Sequence, residues 1–143
     1  MIISELFYQE IEQLLKDVEQ AIAGTGDVRE QMRAFIVQVS RAIVENNDFF
    51  KVYVARLTDE AEKPGTTKMI TTFFDGYVSR LKAIIEKGIA SGVFRQVDAE
   101  SIARASYSLM VGSIFMKHAM KVDLDLDYQN KTQIDLLLEA IKK

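Results

Sequence analysis

An all-α fold is predicted, on three observations. Apolar residues recur three and four apart along almost the whole chain. Strict alternation of β-branched and polar residues is absent. Proline occurs once, at Pro64, so little interrupts a helical backbone. At 143 residues the chain suits one compact domain, in which six helices are expected.

The first helix carries Phe7, Ile11, Leu14, Val18 and Ile22, with Ser4 as a candidate cap and Ile3 and Tyr8 spaced for a hydrophobic staple. "GTGD" at 24–27 stops it, and Asp27 caps a second helix bearing Val28, Met32, Phe35, Val39 and Ile43. "ENNDFF" at 45–50 is a corner where Asn46 or Asn47 ends one helix and Asn47 or Asp48 caps the next. A short third helix follows with Phe49, Phe50, Tyr53, Val54 and Leu57.

"EKPG" at 62–65 reads as a loop. The fourth helix spans about 66–91, and its broad stripe from Met69 to Ile89 requires more than one neighbour. "SGVFRQVD" breaks it, with Gly92 as a left-handed cap and Asp98 capping the fifth helix, about 99–120. "KVDLDLD" at 121–127 is an acidic connector, and a last helix runs over about 128–142.

Composition narrows function. The net charge is −3, and the only adjacent basic pair is Lys142-Lys143, so this chain alone lacks the basic face of a nucleic-acid binder. The apolar run Ala105 to Met116 is too short to cross a bilayer, and no basic region precedes an apolar run as in a signal peptide. No membrane role is expected. The absence of cysteine fits a reducing cytoplasm and removes thiolate chemistry.

Catalytic and metal motifs fail on inspection. One histidine and no cysteine cannot make a zinc site, and Phe115 stands three before His118, where a di-metal bundle needs Glu. Counting "DLDLD" from Asp123 as a calcium loop puts Tyr128 where glycine belongs and Ile134 where glutamate belongs. His118 near a helix end suits the dipole. No cofactor is expected, and a binding module is favoured over an enzyme.

Two stretches carry a resemblance. "IIEKGIASGVFRQVDAESIARASYSLMVGSIF", from Ile84, has a long helix ending in a small-residue, glycine, aromatic turn, then an acidic cap and an apolar helix containing glycine; Gly88, Gly92, Phe94, Asp98 and Gly112 fit. "DVREQMRAFIVQVSRAIVENNDFFKVYVARL", from Asp27, gives helix, corner and short helix, with Asn46-Asn47 where proline is frequent. Together they resemble the ligand-binding domain of TetR-family transcriptional regulators, along essentially the whole chain. "SELF" at 4–7 looks like the junction after that family's helix-turn-helix, so residues 1–143 are expected to be one ligand-binding and dimerisation domain without the DNA reader.

The resemblance implies a homodimer built as a four-helix bundle from the last two helices of each subunit. Small residues on one stripe of the fifth helix let a partner approach. The expected seam is Ala105, Ser108, Val111, Gly112, Phe115 and Ala119, completed by Ile134, Leu137 and Leu138. The resemblance also implies a small-molecule effector. The opposite side of the fifth helix offers Tyr107, Met110 and Ile114, facing Phe73 and Tyr77, Phe35 and Val39, and Phe49 and Tyr53. That lining suits a hydrophobic or aromatic ligand. Arg56 and Arg80 are the candidates to meet a ligand carboxylate. Two other readings stay open: a headless module that pairs with full-length regulators, and an unrelated helical-bundle enzyme.

Overall fold

A computed structural model of the chain describes residues 2–45 and 64–143, with the side chains of 9–45 and 70–143. The described residues form five helices: α1 (Ile2–Ile22), α2 (Val28–Glu45), α3 (Pro64–Ala90), α4 (Ala99–His118) and α5 (Leu126–Ile141). The expected third helix, with Phe49, Tyr53 and Arg56, lies outside the described residues.

Each boundary has a local cause. Thr25 closes α1 by donating its backbone N–H and its hydroxyl to the Ile22 carbonyl, at 3.0 and 2.7 Å. Asp27 then accepts the Arg29 N–H at 2.8 Å and starts α2. Residues 64 and 65 belong to a helix and not to the expected loop, because proline suits the first helical position, where no N–H is needed. Ser4 lies inside α1 and not at its cap.

The α3–α4 corner is tied at both ends. Gly92 has φ +77, and the N–H groups of Val93 and Phe94 donate to the Gly88 carbonyl at 2.9 and 3.0 Å. Phe94 folds back, buried, over Gly88. Arg95 donates its N–H to the Ile141 carbonyl and its Nε to that of Ala140, both at 2.9 Å, which anchors the end of α5. Asp98 caps α4 through the Ser101 N–H at 3.1 Å. The acidic connector supplies Asp125, which caps α5 two residues earlier than expected through the Tyr128 N–H.

Helix α2 is central and touches α1, α3, α4 and α5. Its buried residues Val28, Met32, Phe35, Ile36, Val39 and Ile43 follow one continuous stripe. Helix α3 packs against α1, α2 and α4. At Gly76 an added Cβ would stand 2.6 Å from Leu15 Cδ1, so α1 and α3 cross closely there. Helix α5 lies on α4 and α2, held to α2 by an Arg33–Asp135 ion pair at 3.1 Å.

Candidate functional site

The side of α4 that faces α2 and α3 gathers the described aromatic residues of the expected ligand lining. Phe35, Val39, Phe73, Tyr77, Tyr107, Met110 and Ile114 are all buried. The Phe35 and Tyr77 rings lie 5.0 Å apart between centroids, Tyr77 and Tyr107 lie 5.4 Å apart, and Phe73 lies 5.8 Å from Tyr107. Phe74, which the sequence reading left out, meets Tyr107 edge-on at 5.0 Å. These tilted and edge-to-face pairings are the geometry aromatic quadrupoles favour.

A polar contact sits within this apolar cluster. Tyr77 Oη and Ser106 Oγ share a hydrogen bond of 2.8 Å, both side chains buried. Burial pushes the Tyr77 phenol well above the ordinary tyrosine range, with the Ser106 bond acting weakly the other way. Two further buried polar links join α5 to its neighbours. Asn130 Nδ2 donates to Ser40 Oγ at 2.9 Å, and Gln133 Nε2 donates to Ser113 Oγ and, at 3.1 Å, to the Leu109 carbonyl.

Beside the cluster, a cleft of about 580 Å³ opens between the end of α1, the start of α2 and the second half of α3. Phe35 belongs to both the cluster and the cleft. Ile22, Ala83 and Ile84 make its floor apolar, while Glu19, Arg80 and Lys87 bring charge to it. Arg80 donates Nε to Glu19 Oε2 at 2.8 Å and Nη1 to the Gly76 carbonyl at 3.2 Å. Its side chain is only 21% exposed, so it is not the freely solvated arginine its helix position allows. The partnership with Glu19 spans 61 positions of sequence, and no local pattern signals it.

The outward side of α4 is small and partly apolar. Ala105, Ser108 and Ala119 are exposed, and Val111, Gly112 and Phe115 are half-buried. Among the described residues, no atom stands within 4 Å of a Cβ placed on Gly112, apart from its own helix backbone and chain neighbours. The expected seam residues of the last helix differ in burial. Ile134 and Leu137 are buried in the chain's own core and so do not point outward, and Leu138 is half-buried. Leu136 takes the outward position, 65% exposed, with Leu109 of α4 at 40%. The cause is the sharing of α5 between α2 and α4, which claims two of its sides at once.

Among the described residues, no group of three or more His, Cys, Asp or Glu side chains is placed to hold a metal ion. Nor is any described helix long and apolar enough to cross a membrane.

Residues 25–114 match the family described as tetracyclin repressor-like, C-terminal domain. No curated protein is similar enough in sequence to count as a relative. Solved structures match the fold over nearly the whole chain. The transcriptional regulator FadR from Bacillus subtilis, solved in complex with stearoyl-CoA, superposes with a TM-score of 0.78 at 17% identity, over 96% of this chain and 73% of that one. The fatty acid degradation regulator FadR from Bacillus halodurans gives 0.78 at 15% identity, with the same coverage. A TetR transcription regulator from Haloarcula marismortui gives 0.75 at 20% identity, over 97% of this chain and 78% of that one.

Proposed function

The chain belongs to the tetracyclin repressor-like C-terminal domain family, and from that premise we propose that residues 1–143 form the effector-binding and dimerisation domain of a TetR-like transcriptional regulator. The effector is a small, mainly hydrophobic or aromatic molecule. It is held between α2, α3 and α4, and no reaction, metal or cofactor is assigned to the site. DNA contact is assigned to none of the described helices. The working compartment is the cytoplasm.

One observation carries this reading: α4 is used on two opposite sides. Its inner side meets the Phe35, Phe73, Tyr77 and Tyr107 cluster. Its outer side is a stripe of small residues on which no other described residue comes within 4 Å of a Cβ placed at Gly112. A ligand among the aromatic residues can act at the outer face only if it favours one arrangement of α4 over another. The stearoyl-CoA bound by the Bacillus subtilis structure supports an apolar effector. On the outer face, Leu109 and Leu136 join Ala105, Ser108 and Gly112 as the proposed seam between two copies.

The test combines two measurements. Sedimentation velocity is expected to give a dimer. Stearoyl-CoA is expected to raise the thermal midpoint where coenzyme A alone does not. A monomer, or stabilisation by coenzyme A equal to that by stearoyl-CoA, contradicts the proposal.

A further inference from the structure

We infer that the cleft between α1, α2 and α3 is the acid-accepting end of the ligand site, and that Arg80 receives a carboxylate carried on an apolar body by exchanging it for Glu19. The inference rests on the proposed effector-binding reading and adds the chemical class of the effector. The cleft floor is apolar, formed by Ile22, Phe35 and Ile84, and Phe35 continues inward to Tyr77. Among the described residues, the charged ones lining it are Glu19, Arg80 and Lys87, two cations against one carboxylate. That balance favours an anion over a neutral or cationic molecule.

Arg80 is the group shaped for the task. A guanidinium binds a carboxylate through two parallel N–H donors, and Arg80 already engages one in Glu19. Glu19 is 61% exposed, so releasing it to water costs little, as for other surface ion pairs. The Gly76 carbonyl holds Nη1 in place during such an exchange. Lys87 lies two turns further along the same side of α3 and adds attraction without competing for that geometry. Gln31, a buried polar residue of the cleft, donates its amide to the Thr25 carbonyl at 2.6 Å. Exchange at Arg80 also removes a tie between α1 and α3, so binding reaches α1 as well as α3.

Calorimetric titration with decanoate, and with decan-1-ol as its neutral counterpart, tests this alongside isoleucine-methyl NMR. Decanoate is expected to bind once per chain and to shift the methyls of Ile22 and Ile84. Arg80→Gln is expected to weaken it about tenfold or more, the scale of a charge-assisted pair. Arg80→Lys retains part of the affinity, because it keeps the charge and loses the fork. Glu19→Gln is expected to strengthen binding by removing the competing carboxylate. Equal affinity for decan-1-ol, or indifference to Arg80→Gln and Arg80→Lys in folded protein, overturns the inference. If both probes bind with equal affinity and shift Ile114 instead, the carboxylate end is wrong and the apolar effector reading stands. If neither probe binds or shifts any isoleucine, both fall.

Discussion

Gly88 and Phe94 occupy one space: a Cβ on Gly88 would fall 2.5 Å from Phe94 Cε2 and closer still to Cδ2. The ring is buried over a helix that must lack a side chain at that point. Gly88→Ala is therefore expected to destabilise by ~1–3 kcal/mol through overpacking, despite the better helix propensity of alanine. In a Phe94→Ala background the sign reverses, because the obstruction is gone and the propensity gain remains. Urea unfolding of the four proteins checks it. An additive double mutant contradicts the contact.

Asp98 holds α4 at its start. Its carboxyl lies below the ordinary carboxylate range, chiefly because it accepts the Ser101 N–H, and also the Ser101 hydroxyl. A depressed folded-state pKa means the stabilisation is present above the unfolded carboxylate value and lost as pH falls through the folded one. Wild type is expected to lose stability in that acidic window more steeply than Asp98→Asn, which keeps a cap without the charge. Unfolding midpoints between neutral and strongly acid pH decide it, and parallel curves would contradict the assignment.

Tyr77 and Ser106 form a buried pair in which each depends on the other. Tyr77→Phe leaves the Ser106 hydroxyl without that partner and is expected to cost ~1–3 kcal/mol, part of which Ser106→Ala recovers in the double mutant. The raised phenol pKa gives a second sign. Stability is full below the unfolded tyrosine value of ~10 and declines as pH climbs toward the folded value. Spectrophotometric titration of wild type against Tyr77→Phe should show that the Tyr77 phenol ionises only with unfolding.

Gly112 separates folding from association. No atom of the described residues beyond its helix backbone and chain neighbours opposes a Cβ there, so Gly112→Ala should preserve or improve monomer stability, by up to ~1 kcal/mol. Gly112→Leu and Leu136→Lys should instead shift dimer to monomer, because both intrude on the proposed seam. Sedimentation equilibrium with circular dichroism checks both effects. A dimer indifferent to all three substitutions removes this face from the account.

Local chemistry was readable from the sequence, and shared surfaces were not. Gly92, Asp27 and Asp98 act within a few residues of themselves, so composition and spacing place them. The aromatic cluster was readable in part, because Tyr107 and Met110 follow helical spacing, but Phe74 was missed since its stripe serves two neighbours. Leu136 and Leu137 show the limit. They are adjacent and chemically identical, and only the packing of α5 against both α2 and α4 decides which is exposed. Long-range polar partners such as Glu19 with Arg80 and Ser40 with Asn130 leave no trace in local pattern.

The effector site itself is tested most directly through Met110, which is fully buried on the inner side of α4, while Met120 beyond its end is 60% exposed. Methionine-methyl NMR during titration with stearoyl-CoA reads both positions at once. Saturable movement of the Met110 resonance is expected, with Met120 unmoved. Saturable binding that leaves Met110 in place and moves Met120 would contradict a ligand site between α2, α3 and α4.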